Sequence, residues 1–253
     1  MKKSGVLCWL VLVLSWATLS GCGRFYATSK DKGQIGVTSA GDKVGTPTGR
    51  SIVAGCVVTS YTGDGSTYLS EQRHIIRPDL GIIEISALEP YGTFRWKLSG
   101  SDFAVVTGAG RLDDLPMVLC DRNIAKLILT SISAAFGMSA QLHASPELTK
   151  AQGRYYSVIH IGPGATYPKA LKTIEVPWAN LTLYGDSNSG MVEMVTIQDV
   201  HAGLMLTAHS YNFRWLKEIG KSIPMKIDVF KTDETTTWRQ RILQVNYHSV
   251  KTL

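Results

Sequence analysis

The stretch DRNIAKLILTSISAAF, Asp121–Phe136, decides how the rest of the chain is read. Ile124, Leu127, Ile128, Ile132, Ala135 and Phe136 fall three or four residues apart. At about 3.6 residues per turn they share one face of a helix. Asp121 stands just ahead of the run, where a carboxylate can accept from the free N–H groups of a first turn. The spacing predicts an amphipathic helix that fades near Gly137 or continues to about Leu142. One face is strongly apolar and has to be buried.

On either side of this stretch the period changes to two. Upstream, residues 52–61, 67–77, 82–88, 93–98 and 103–107 read as strands. They are separated by turn signals at Thr62-Gly63-Asp64-Gly65, Pro78-Asp79, Glu89-Pro90-Tyr91-Gly92 and Ser99-Gly100-Ser101-Asp102. The clearest alternation is in 93–98. Phe94, Trp96 and Leu98 take one face and Thr93, Arg95 and Lys97 the other, as in a half-buried antiparallel strand. Downstream, Ser145-Pro146-Glu147 has the form of an N-cap followed by Pro at the first helical position, and predicts a short second helix. Strands resume at 155–161, 181–184, 191–198, 203–213, 225–231 and 237–247. The reading is α+β, mostly β: about ten antiparallel strands around a central helical insertion. A sheet that wide curls, and its concave side is the economical place for the helix.

The N-terminus carries an address. Lys2 and Lys3 precede an apolar run over 6–16, and Leu19-Ser20-Gly21-Cys22 closes it. The apolar run is short of the roughly 20 residues that span a bilayer. The closing tetrad looks like a lipobox, the sequence read by the bacterial lipoprotein signal peptidase. An uncleaved anchor and cleavage at another site are the competing readings. The lipobox implies that residues 1–21 are a signal peptide and that Cys22 becomes the lipidated N-terminus, carrying acyl chains such as palmitate. Gly23 rather than Asp after the Cys favours sorting to the outer membrane, facing the periplasm. Residues 22–50 are rich in Gly, Ser, Thr and Lys without apolar periodicity. They read as a flexible tether with a reach of about 25–30 Å, leaving residues 51–253 as the folded domain.

Composition excludes more than it selects. Formal charge is +6; without Lys2 and Lys3 it is 24 basic against 20 acidic residues, or +4. That excess does not mark a nucleic-acid binder and suits a position near an anionic membrane. Cys56 and Cys120 form an even pair in an oxidising compartment, open either to a disulfide or to two separate buried thiols. The six histidines show no metal-ligand spacing, and no zinc-type Cys pairs occur. Gly185-Asp186-Ser187-Asn188-Ser189-Gly190 lacks the form of a nucleophile elbow and reads as a hairpin loop. Arg73, Arg77, Arg95 and Lys97 read as charges on a solvated sheet face, with lipid phosphates the alternative. No cofactor, metal or catalytic set is expected, and the chain does not read as an enzyme.

Two stretches carry a family likeness: Arg77-Pro78 through Glu89-Pro90-Tyr91-Gly92 to Trp96, and Ile223-Pro224-Met225-Lys226-Ile227-Asp228-Val229. Together with element order over roughly residues 51–250, they make the chain resemble the lipoprotein-localisation (Lol) carriers and receptors of Gram-negative envelopes. That resemblance implies an open antiparallel half-barrel whose helical insertion covers an apolar cavity. It also implies binding of acyl chains or lipid-modified partners. No motif carries a functional residue over. From the residues themselves, Ile124, Leu127, Ile128, Ile132 and Phe136, with Met191, Met194 and Met205, are either plain core or the lining of an acyl-sized pocket. The competing function is an accessory envelope lipoprotein with a filled core that docks on a protein complex.

Overall fold

The computed structural model describes residues 51–89, 93–99, 102–109, 121–145, 147–151, 153–166, 168, 171, 179–199, 203–233 and 240–253. The stretch expected to be a signal peptide, Cys22, the expected tether and Cys120 therefore lie outside the described residues. Twelve strands form one antiparallel sheet. Five precede the helices: β1 (Ile52–Tyr61), β2 (Thr67–Arg77), β3 (Ile82–Glu89), β4 (Thr93–Ser99) and β5 (Asp102–Ala109). Then come α1 (Arg122–Gly137) and α2 (Ser139–His143). Seven strands follow: β6 (Leu148–Ala151), β7 (Arg154–Ile161), β8 (Ala179–Asp186), β9 (Val192–Asp199), β10 (Leu204–Leu216), β11 (Lys221–Asp233) and β12 (Gln240–Thr252).

The order across the sheet is β5-β4-β3-β2-β1-β12-β11-β10-β9-β8-β7-β6. Every strand lies beside its neighbour in sequence except at two places. β1 pairs with β12 in the middle, from Ile52↔Thr252 to Ser60↔Leu243. β5 and β6 are the two open edges, and the chain between them holds α1 and α2. Helix α1 packs on β9, β10 and β11 and also touches β3 and β4. One helix reaches strands on both sides of the centre only if the sheet curls round it. The fold is an open half-barrel with α1 on its inner face.

Alternation assigns that inner face. Ile52, Ala54, Cys56 and Val58 of β1, Ile83 and Ile85 of β3, Trp96 and Leu98 of β4, and Leu243 and Val245 of β12 are buried there. Asp121 caps α1 as its position predicts: its carboxylate accepts from Asn123 N at 2.7 Å and Ile124 N at 3.0 Å. Burial of the helix goes beyond one face, since every residue from Ile124 to Ala134 is buried, Lys126 included.

The sequence reading departs from the fold after α1. The second helix is Ser139–His143, not one started by Ser145-Pro146. Leu148–Ala151 is an edge strand, which raises the strand count to twelve. Tertiary pairing overrides the local helix-start chemistry. Ser145 Oγ donates to Val158 O at 2.7 Å, and Val158 N donates to Glu147 O at 3.0 Å. Strands β10, β11 and β12 also run longer than expected, and Pro224 lies inside β11 opposite Phe213 rather than at its entrance.

The Asp186–Gly190 loop is a hairpin turn. Asp186 Oδ1 accepts from Asn188 N at 3.1 Å, Ser189 N at 2.9 Å and Ser189 Oγ at 3.0 Å. Those bonds, that from Ser189 N first, hold its carboxyl below the usual range. Ser139 Oγ donates to Ser189 O at 3.1 Å and ties α2 to this turn. Gly190 has φ +66°, and a Cβ there would stand 2.2 Å from Ser139 O. Gly190→Ala should cost about 2–4 kcal/mol from the left-handed backbone and the clash together. Chemical denaturation should show the loss, and proteolysis should begin at α2.

Candidate functional site

The site to examine is the interface between α1 and the inner sheet face, where the sequence places its cavity-lining candidates. Ile124, Leu127, Ile128 and Ile132 are all buried there, and Phe136 is partly buried against the same core. The methionines divide. Met191 lies just ahead of β9 and is half-buried. Met194 is buried but alternates with Val195, which belongs to the core cluster, and sits opposite Tyr184 and His209 on the ladder. Met205 pairs with Gln198 and Thr232, out of step with the inward-facing Leu206. The methionines are therefore not gathered round the helix.

A gap lies at the first turn of α1. It is lined by Asp121, Ile124, Ala125 and Ile128 of the helix end, Val58 of β1, Gln72 and His74 of β2, Ile85 of β3, and Leu243 and Val245 of β12. Its volume is about 10 Å³, roughly the room for one water molecule. Further along the helix Leu127, Leu129 and Ile132 are 0% exposed.

The polar side of the gap is a row that sequence reading missed. Ser70, Gln72 and His74 of β2 point inward, whereas Leu69, Glu71 and Arg73 are exposed. His74 Nδ1 lies 2.9 Å from Tyr247 Oη, and its Nε2 lies 3.0 Å from Gln72 Oε1. The Gln72 oxygen can only accept, so Nε2 carries the proton and Nδ1 accepts from the Tyr247 hydroxyl. Gln72 Nε2 continues the row to Ser70 Oγ at 3.5 Å. The Cys56 thiol beneath it donates to Gln72 O at 3.6 Å. Burial pushes the Cys56 and Tyr247 protons off only at much higher pH than usual. Among the described residues Cys56 has no disulfide partner, and a thiol kept protonated in this way is a poor nucleophile. Its suggested partner, Cys120, is outside the described residues. The signal that could have exposed the row is pairing: Val58 lies opposite Ser70 and Cys56 opposite Gln72, so an inward β1 face forces an inward polar β2 face.

The basic residues do not converge on this gap. Arg77 Nε donates to Ser51 Oγ at 3.2 Å, and Arg95 pairs with Glu84 at 3.9 Å across β3 and β4. His160 sits between Thr182 and Glu147 at 3.0 Å from each. Among the described residues no cluster of His, Cys, Asp and Glu could hold a metal ion, and no helix is long and apolar enough to cross a membrane.

The described fold is thus an open antiparallel half-barrel with a helix seated on its inner face. Solved structures that the chain is similar to include a LolA superfamily protein from Nitrosomonas europaea, at 12% identity and a TM-score of 0.48, over 79% of this chain and 85% of that one. An outer membrane lipoprotein-sorting protein domain from Vibrio parahaemolyticus matches at 12% identity and a TM-score of 0.39, over 81% and 85%. A DUF1329 family protein from Desulfovibrio piger matches at 8% identity and a TM-score of 0.40, over 81% and 86%. No protein-family model matches the chain, and no curated protein does.

His74 gives the site a pH signature. Burial lowers its pKa from 6.5 to about 4, so the unfolded chain binds the extra proton first as pH falls. The stability contributed by neutral His74 is complete above pH 6.5 and is lost on descending toward pH 4. The full loss is about 3 kcal/mol. Urea titrations between pH 7 and pH 4 should show a steeper loss for the native chain than for His74→Leu. Parallel profiles would place the titrating group elsewhere.

Proposed function

We propose that this chain is a lipid-anchored envelope protein that holds an acyl chain, or the acylated end of a lipid-modified client, between α1 and the inner face of the half-barrel. The observation that carries this reading is the seat of α1. What α1 contributes to the apolar core cluster is Ile, Leu and Ala side chains, and contacts of that kind are non-directional. A methylene chain can take them over, methylene for methylene, at about 0.8 kcal/mol each. The gap at the first turn admits only about one water, so a chain enters by displacing α1 outward. Cys22 as the lipidated residue, residues 22–50 as tether and the outer membrane as the address complete the proposal from the sequence. The role is binding rather than catalysis. The inward polar groups of β2 are engaged with one another, and the Cys56 thiol stays protonated.

Native mass spectrometry of the full chain after mild extraction should find a co-purifying acyl lipid. Hydrogen exchange should show α1 opening far more readily than the β1–β12 centre, and slowing when the lipid is loaded. Absence of any retained lipid, with α1 as protected as the sheet centre, would sink the proposal.

A second reading rests on the same small gap. If the interior stays filled, the protein is an accessory envelope lipoprotein that docks on a protein complex. Crosslinking in membranes would then recover one stoichiometric protein partner from chains that carry no acyl ligand.

A further inference from the structure

The far end of the β10–β11 hairpin stands apart from the ladders that hold the rest of the sheet. Pairing of β10 with β9 stops at His209↔Met194, and pairing of β11 with β12 begins at Lys226↔Asn246. Beyond those points β12 turns its pairing to β1 alone. Phe213–Leu216 and Lys221–Pro224 therefore form a two-stranded ribbon bonded only to itself. The ribbon is held against the domain near its turn, because Leu216 and Ile223 are buried in the core. Its turn is tight: Gly220 N donates to Leu216 O at 2.9 Å, and Gly220 has φ +62°.

This rigid corner presents an unusual surface. Trp215 is 59% exposed, the most exposed tryptophan among the described residues, and its ring lies over Gly220 with Cζ2 4.0 Å from where a Cβ would stand. Tyr211 is exposed three pairs further back. Arg214, Lys217 and Lys221, all exposed, lie on the same hairpin end, with Glu218 as the one acid between them. That is three cations to one anion in eight residues. An exposed indole, apolar in body and polar at its N–H, on a hairpin end that also carries three exposed long basic side chains, matches the chemistry of a bilayer interface with anionic headgroups. A flat protein partner would be served by either feature alone, whereas an anionic lipid surface uses both.

We propose that the β10–β11 hairpin corner is a docking surface for anionic phospholipid, with Trp215 entering the headgroup layer and Arg214, Lys217 and Lys221 contacting phosphates. This contact is separate from the acyl site under α1 and holds whether or not that site is occupied. It fixes which edge of the domain faces the bilayer.

The test uses the full chain anchored in vesicles of dibrominated phosphatidylcholine, with or without phosphatidylglycerol. Bromine quenches tryptophan only on contact, and the difference between native chain and Trp215→Phe isolates Trp215 from the other tryptophans. That difference signal should be quenched in the phosphatidylglycerol vesicles and relieved by raised salt. Lys217→Glu with Lys221→Glu should abolish it, each lost cation weakening the contact by about five-fold. Circular dichroism confirms that each variant keeps its sheet. Three results would overturn the proposal: a Trp215 signal open to aqueous acrylamide in both vesicle types, equal quenching in both, or quenching indifferent to the charge reversals.

Discussion

The pairing of β1 with β12 is the constraint on which the rest depends. It joins the first and last strands in the middle of the sheet, and Ser51 and Leu253 close the ladder with bonds of 3.1 and 2.8 Å in both directions. Once the chain ends meet at the centre, the middle of the chain must supply both edges. The segment between β5 and β6 then has to cross from one edge to the other. A connection that crosses a curled sheet runs over one of its faces, and the apolar residues of α1 decide that it is the inner one. The burial of α1 is thus a result of topology as well as of hydrophobicity.

The same face carries a conflict. Most of it is aliphatic, but β2 contributes Ser70, Gln72 and His74, and β12 contributes Tyr247. Buried polar groups are tolerated when they satisfy one another, and this row does so with bonds of 2.9 and 3.0 Å on either side of His74. The arrangement fixes one tautomer and holds β2 to β12 across the intervening β1. It also gives the face a direction, with a polar end at the helix N-terminus and an apolar remainder under its middle.

Much of this was legible in the sequence. The alternation in 52–61 and 93–98 and the helical spacing of 124–136 each follow from a face buried on one side, and each appears where it was expected. The failures have physical causes. Ser145-Pro146-Glu147 has the local chemistry of a helix start, and only its pairing with Val158, distant in sequence, makes the following residues a strand. In β2 the residues that look apolar, Tyr68 and Leu69, are exposed while polar ones are buried, because partner register outranks side-chain character in a strand. Met194 and Met205 could be recognised as adaptable apolar residues, but a period of two does not say which face is the inner one. Lys126 lies within a helix covered all round, which a one-sided reading of the helix could not anticipate.

The closure of Ser51 on Leu253 has a mechanical side. Any pull on the chain ahead of Ser51 is delivered to β1, which is bonded along its length to β2 on one side and β12 on the other. Force along a strand held in this way loads many hydrogen bonds together in shear, rather than peeling them one at a time from an edge. The outer edges at β5 and β6, and the helices between them, carry none of that load directly. Load entering at Ser51 is thereby borne by the part of the domain that resists strain.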